Sequence, residues 1–121
     1  MMSRRIAKEF LHLRDWIARA KELVAGGEAA YMGSHLSPEA GDSLLMKIGE
    51  AANRLSKLGV APPKGIDWAD AINQRNWLIH QYDQVDRDVT WATLTRDNPT
   101  WEIALNPRSA EAETRLADES E

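Results

Sequence analysis

The sequence predicts an all-α bundle of four or five helices joined by short connections. Apolar residues recur at three- and four-residue steps through two long stretches. Glycine and proline pairs fall between the periodic stretches, and nowhere does the strict alternation of a half-buried strand persist. At 121 residues, 43% hydrophobic and 28% charged, the chain carries enough apolar material for one modest core.

The first helix is expected over residues 3–24. Ile6, Phe10, Leu13, Ile17, Ala20 and Val24 step by four, three, four, three and four, which lays them along one stripe. Ser3 suits the N-cap and Gly26-Gly27 the exit. Trp16 and Leu23 widen the stripe enough to meet a neighbouring chain as well as the core. Arg4, Arg5, Lys8, Arg14, Arg19 and Lys21 make this helix the most basic part of the protein, and they read best as a solvated outer face.

A connection follows, with a short helical turn near residues 29–33. Ser37-Pro38-Glu39 then reads as an N-cap with proline at the first helical position. Leu44, Leu45, Ile48, Ala51, Ala52 and Leu55 form the buried face of this second long helix. Gly49, Ala51 and Ala52 let another backbone come close. Gly59 ends it, and the prolines of "GVAPPKGIDW" forbid helix in the linker.

Asp67 caps the next helix, expected to run to His80 or Gln84. Asp86 or Asp88 starts another, with Val89, Trp91 and Leu94 turned inward. Pro99 suits the first turn of a further short helix. Residues 1–105 are therefore expected as the helical domain. Residues 106–121 are acidic and poor in large apolar side chains, and are expected as a mobile tail unless something packs on "SAEAETRLADE".

Composition narrows the function. There is no cysteine, so disulfides, thiolate metal sites and a cysteine nucleophile are excluded, and a reducing cytoplasm is the expected location. No apolar run reaches the length of a membrane span, and "MMSRRIAKEF" lacks the apolar centre of a signal peptide. A net charge of −4 is wrong for a protein that holds nucleic acid by its general field, so any such binding needs a local cationic site.

That site is sought in "DWADAINQRNWLIHQYDQVDRDVTW". On a helical wheel Trp68, Ala71, Ile72, Leu78 and Ile79 make an apolar face. Arg75 and Tyr82 project from its middle, while Asn76 and His80 line its margin. A guanidinium in an apolar stripe must meet an anion, because buried charge is costly unless paired. The anion is either a carboxylate of the chain, with Glu50 the obvious candidate, or a phosphate of a ligand.

The histidines stand in separate elements without ligand spacing, and no glycine-rich phosphate loop follows a strand, so neither a metal nor a cofactor is expected. An arginine and a histidine suffice for RNA cleavage. The ribose 2′-hydroxyl supplies the nucleophile, a histidine moves protons near neutrality, and an arginine forks onto the charged phosphorane oxygens. The product is a 2′,3′-cyclic phosphate, and DNA is spared. Positions five apart stand about 140° apart on an ideal helix, so Arg75 and His80 converge either through a redirected helix end or across a two-fold axis.

"RNWLIHQY", with the following "VD" and Trp91, resembles the R-x-x-x-x-H-x-Y signature of HepT-like toxins, small helical members of the HEPN superfamily. "IGEAANRLS" resembles the family's other block, and "IDW" precedes the motif helix as it does there. The likeness spans residues 6–105. It implies a HEPN-like homodimer with a composite cleft, and a metal-independent endoribonuclease acting on tRNA or mRNA in a type VII-like toxin–antitoxin system. It further implies an MntA-like nucleotidyltransferase antitoxin that transfers AMP to the motif tyrosine.

By position, Arg75 and His80 are then catalytic, Asn76 is supporting, and Tyr82 is the AMPylation site. Glu50 orients Arg75 or the interface. Gln81 and Asp83 depart from the usual small or aromatic neighbours, and Asp83 either orients His80 or repels RNA. Two other readings stand beside this one. The chain is a non-catalytic helical partner or nucleotide-binding subunit of a nucleotidyltransferase, or it is a plain bundle with an Arg75–Glu50 ion pair.

Overall fold

The computed structural model describes residues 2–80 and 86–118. All regular structure among them is helical: α1 Arg4–Val24, α2 Glu28–Gly33, α3 Leu36–Lys57, α4 Trp68–His80, α5 Arg87–Ala92 and α6 Asn98–Asp118. Helix α1 packs along both α6 and α3, and α3 packs along α4. None of the helices is long and apolar enough to cross a membrane.

The ends form for local reasons. Ser3 Oγ accepts from the Ile6 amide at 3.1 Å, Asp67 Oδ1 from Ala69 at 2.9 Å and Asp86 Oδ1 from Asp88 at 2.9 Å. Helix α3 starts two residues before the point expected from Ser37. His35 holds the N-cap position, and Ser34 Oγ just before it accepts from the Leu36 and Ser37 amides at 3.2 and 3.4 Å. At the other end Gly59 adopts φ +76, which lets its amide and that of Val60 return to Ser56 and Leu55.

Two clusters make the interior. In the larger, Phe10, Leu13 and Ile17 of α1 meet Ile48, Ala52 and Leu55 of α3, with Trp68 and Trp101 closing one end. The Trp68 and Trp101 rings stand edge-on with centroids 6.0 Å apart, and Trp68 Nε1 donates to the Val60 carbonyl at 2.8 Å. That bond lets a polar indole be buried without loss, so Trp68 fixes the linker against α4. The smaller cluster gathers Ala20, Tyr31, Leu45, Leu78 and Leu94.

Four expectations change. Helix α5 does not break before Pro99. It passes into α6 through one π-helical turn, Thr93–Asp97, with α-helical backbone angles at Ala92 and Asn98. The wider turn accommodates proline, which has no amide to donate, and threonine hydroxyls bond spare carbonyls of Val89 and Trp91 at 3.1 and 2.8 Å. Thr90, fully buried, faces inward in place of Val89, which is 41% exposed. Ile79 is 45% exposed, because α4 turns Trp68, Ala71 and Leu78 toward the interior. Residues 106–118 continue α6 against α1, with Ala112 fully buried and Ser109 nearly so. The packing partner that the sequence left open for this segment is α1.

The basic face of α1 meets the acidic side of α6. Arg14 pairs with Glu113, and Lys21 with Glu102 at 3.3 Å. Arg54 of α3 reaches Glu9 of α1 with both Nε and Nη2, at 2.8 and 3.0 Å. The exposed pairs contribute little each, whereas the forked Arg54–Glu9 bond holds α1 and α3 in register.

Helix α3 lies close against α4 at Gly49. A Cβ there would lie 2.6 Å from the Ala71 carbonyl and would collide with Arg75 Cβ. Gly49→Ala gains about 1 kcal/mol of helix propensity but costs about 1–3 kcal/mol in overpacking. The variant is expected to be less stable in urea unfolding. Burial raises the pKa of the Tyr31 phenol, and nearby Asp42 adds to the shift. Thr90 lies close enough to oppose it, yet no hydrogen bond of ordinary geometry reaches the phenol. A raised folded-state value means that this stability is complete below pH about 10 and is lost as pH climbs through the folded value. Tyr31→Phe is expected to hold or raise stability at neutral pH and to flatten its decline in alkali, measured by unfolding across pH 8–12.

Candidate functional site

Helix α4 builds the site, and its distance from α3 sets the arginine. Arg75 stands half-buried with its stem against Gly49, so the aliphatic part of the side chain fills the gap that glycine leaves. Its guanidinium turns along the helix surface. Nε and Nη2 both donate to Asn76 Oδ1, at 3.3 and 2.9 Å. Among the described residues no carboxylate lies within ion-pair distance of it. A neutral amide thus orients the cation without neutralising it.

Glu50 does not take the role expected of it as counter-charge. It is exposed, and no ion pair joins it to Arg75. One residue earlier, Gly49 supplies the contact from α3. His80 is exposed at the last described position of α4, and no hydrogen bond links it to Arg75. With α4 helical through both positions, the two side chains diverge by about 140°. The structure therefore joins Arg75 to Asn76 and leaves His80 apart from both. Tyr82 and Asp83 lie outside the described residues.

Two groups escaped the sequence reading. Arg87 of α5 is ion-paired to Asp42 of α3, and its Nη1 lies 3.5 Å from the Pro38 carbonyl. This tethers the chain to α3 soon after the motif helix. Trp91 stacks at a tilt on Tyr31, centroids 5.1 Å apart, beside the same tether. The second group surrounds a cavity of about 490 Å³ between α4 and the π-helical turn. Gln74 and Asn98 line it, and each has a buried side-chain nitrogen without a partner. Asp42 and Arg87 stand far apart in sequence and belong to no periodic stripe. Asn98 looked like a loop residue because proline follows it.

A family model described as "Ribonuclease HepT-like" matches residues 13–107. The match covers α1 from Leu13, the Gly49 contact, the whole of α4 and the start of α6, and the chain belongs to this ribonuclease family. No curated protein and no solved structure shows a match to it.

Since Arg75 has no ion-pair partner to lose among the described residues, Arg75→Met should leave the unfolding free energy within about 0.5 kcal/mol of the parent. Denaturant unfolding checks this, and a loss of several kcal/mol would reveal a buried pair.

Proposed function

We propose that the protein is the toxin of a toxin–antitoxin pair, a metal-independent endoribonuclease whose site is completed by a second copy of the chain. The carrying observation is the Arg75 guanidinium, oriented by Asn76 and lacking a carboxylate partner among the described residues. Membership in a ribonuclease family supports the reaction class. The divergence of Arg75 and His80 on α4 supports a composite cleft, as does Ile79, an exposed apolar side chain next to His80.

In this mechanism Arg75 forks onto two non-bridging oxygens of the scissile phosphate. One His80 takes the proton of the 2′-hydroxyl, whose oxygen attacks phosphorus. The bond from phosphorus to the 5′-oxygen breaks, and the second copy's His80 delivers a proton to that leaving oxygen. The products are a 2′,3′-cyclic phosphate and a free 5′-hydroxyl. Charge builds on the phosphorane, and the arginine is worth most there.

Control would come from a nucleotidyltransferase antitoxin. The Tyr82 hydroxyl attacks the α-phosphate of ATP, pyrophosphate leaves, and AMP remains on the tyrosine. Its phosphate then competes with RNA phosphate for Arg75. A chain with a net charge of −4 needs no more than this local change to lose RNA, because its overall field already opposes binding.

Expression of the chain alone should arrest growth. Arg75→Met and His80→Ala should each fold yet cleave RNA about 10²–10⁴-fold more slowly, read by gel assay on total RNA. Undiminished cleavage by both variants would overturn the assignment. Co-expression with a nucleotidyltransferase encoded beside the gene should add one AMP per chain by intact mass, and Tyr82→Phe should abolish that addition.

A further inference from the structure

The fold divides the cations of α1 into two sets. Arg14 and Lys21 are taken up by Glu113 and Glu102 of α6. Arg5, Lys8 and Arg19 are exposed, and among the described residues no carboxylate lies within ion-pair distance of any of them. A helix turns about 100° per residue, so Arg5, Lys8, His12 and Arg19 fall within an arc of about 60° and along about 21 Å of its length. This row is turned away from Phe10, Leu13 and Ile17, the buried side of the helix. His12 is exposed within the row, and its ring lies 5.4 Å from that of Trp16, tilted by 32°. The carboxylates beside the row are mostly occupied. Glu9 is forked by Arg54 and Asp15 is bonded to Arg14, which leaves Glu22, less than a turn beyond Arg19.

In a chain of net charge −4, a row of unpaired cations on one helix face concentrates positive potential where the general field has none. Like charges at this spacing repel, and a polyanion laid along them replaces repulsion with attraction while releasing its own counterions. A lipid surface is a poor match, because the apolar side of α1 is closed inside the core and has nothing to insert. A nucleic acid strand is a good one. It carries phosphates at regular intervals along a line, and its bases stack on exposed rings such as that of His12. Membership in a ribonuclease family selects RNA as the strand.

We propose that the outer row of α1, Arg5, Lys8, His12 and Arg19, is a track for the sugar–phosphate backbone of a single RNA strand. The choice of ligand rests on the ribonuclease reading above. Arg75 stands on α4 with its stem against α3, so the track grips the strand away from the scissile phosphate. It therefore acts on affinity and leaves the chemical step to Arg75 and His80.

Fluorescence anisotropy of a 2′-O-methyl oligoribonucleotide, which has no free 2′-hydroxyl to attack phosphorus, reads binding without cleavage across a salt series. In R5Q/K8Q/R19Q, with unchanged circular dichroism, the slope of log affinity against log salt should shrink by about 2, since each single-strand phosphate contact contributes about 0.7. The charge-preserving variant R5K/K8R/R19K should keep the wild-type slope. So should K47Q/K57Q/K64Q, which removes the same charge from exposed lysines elsewhere. An unchanged slope in the first variant, or an equal loss in the lysine control, overturns the proposal. Loss of binding to phosphatidylserine vesicles by the first variant, with its RNA slope intact, overturns it in favour of a membrane. On long RNA the first variant should raise KM and keep kcat. Wild type that binds with this slope but cleaves nothing upholds the track and ends the nuclease reading. Cleavage by R5Q/K8Q/R19Q with wild-type KM ends the track and leaves the nuclease reading in place.

Discussion

The closeness of α3 and α4 at Gly49 governs the rest of the structure. With no Cβ on one side, the Ala71 carbonyl and the Arg75 stem can lie against the α3 backbone. The aliphatic part of Arg75 is thereby buried as packing, and the charged end is left to run along α4 to Asn76. A larger residue at 49 would push α4 away and move the guanidinium with it. The same contact is continuous with the larger cluster, since Ile48, Ala51 and Ala52 flank it. Stability and the placement of the functional cation are therefore one constraint.

Much of this could be read from the chain because helical periodicity is a local property. The stripes of α1 and α3 and the caps at Ser3, Asp67 and Asp86 all depend on residues within a turn or two of each other. The misread features depend on partners distant in sequence. The Asp42–Arg87 tether is invisible to a window of any ordinary length. Val89 and Thr90 exchange places because α5 is held by the Arg87–Asp42 pair and the Trp91–Tyr31 contact rather than by its own hydrophobicity. Residues 106–118 offer mainly alanine and serine to the interior. These can be buried there because α1 supplies the bulk, and a composition scan undervalues small side chains that fit closely.

At the candidate site the residue types were legible and their geometry was not. Arg75 and Asn76 meet as neighbours on one surface. Glu50 was an attractive counter-charge because it sits one helical position from the residue that touches Arg75. One position is about 100° of rotation, enough to send it to solvent. The basic stripe of α1 shows the opposite case. Glu113 and Glu102 of α6 take up Arg14 and Lys21, so these charges serve the packing of two helices rather than a distant polyanion.

The π-helical turn at Thr93–Asp97 has a consequence for insertion and deletion. Such a turn holds one residue more than its α-helical equivalent, so it advances everything downstream by about 100° of azimuth. Trp101, Leu105 and Ala112 are buried with that added phase in place. Removal of a single residue from the turn would straighten it into ordinary α-helix and swing the whole seam of α6 toward water, whereas a point substitution at the same place would leave the phase intact. The molecule is thus far more sensitive to the number of residues in this turn than to their identity.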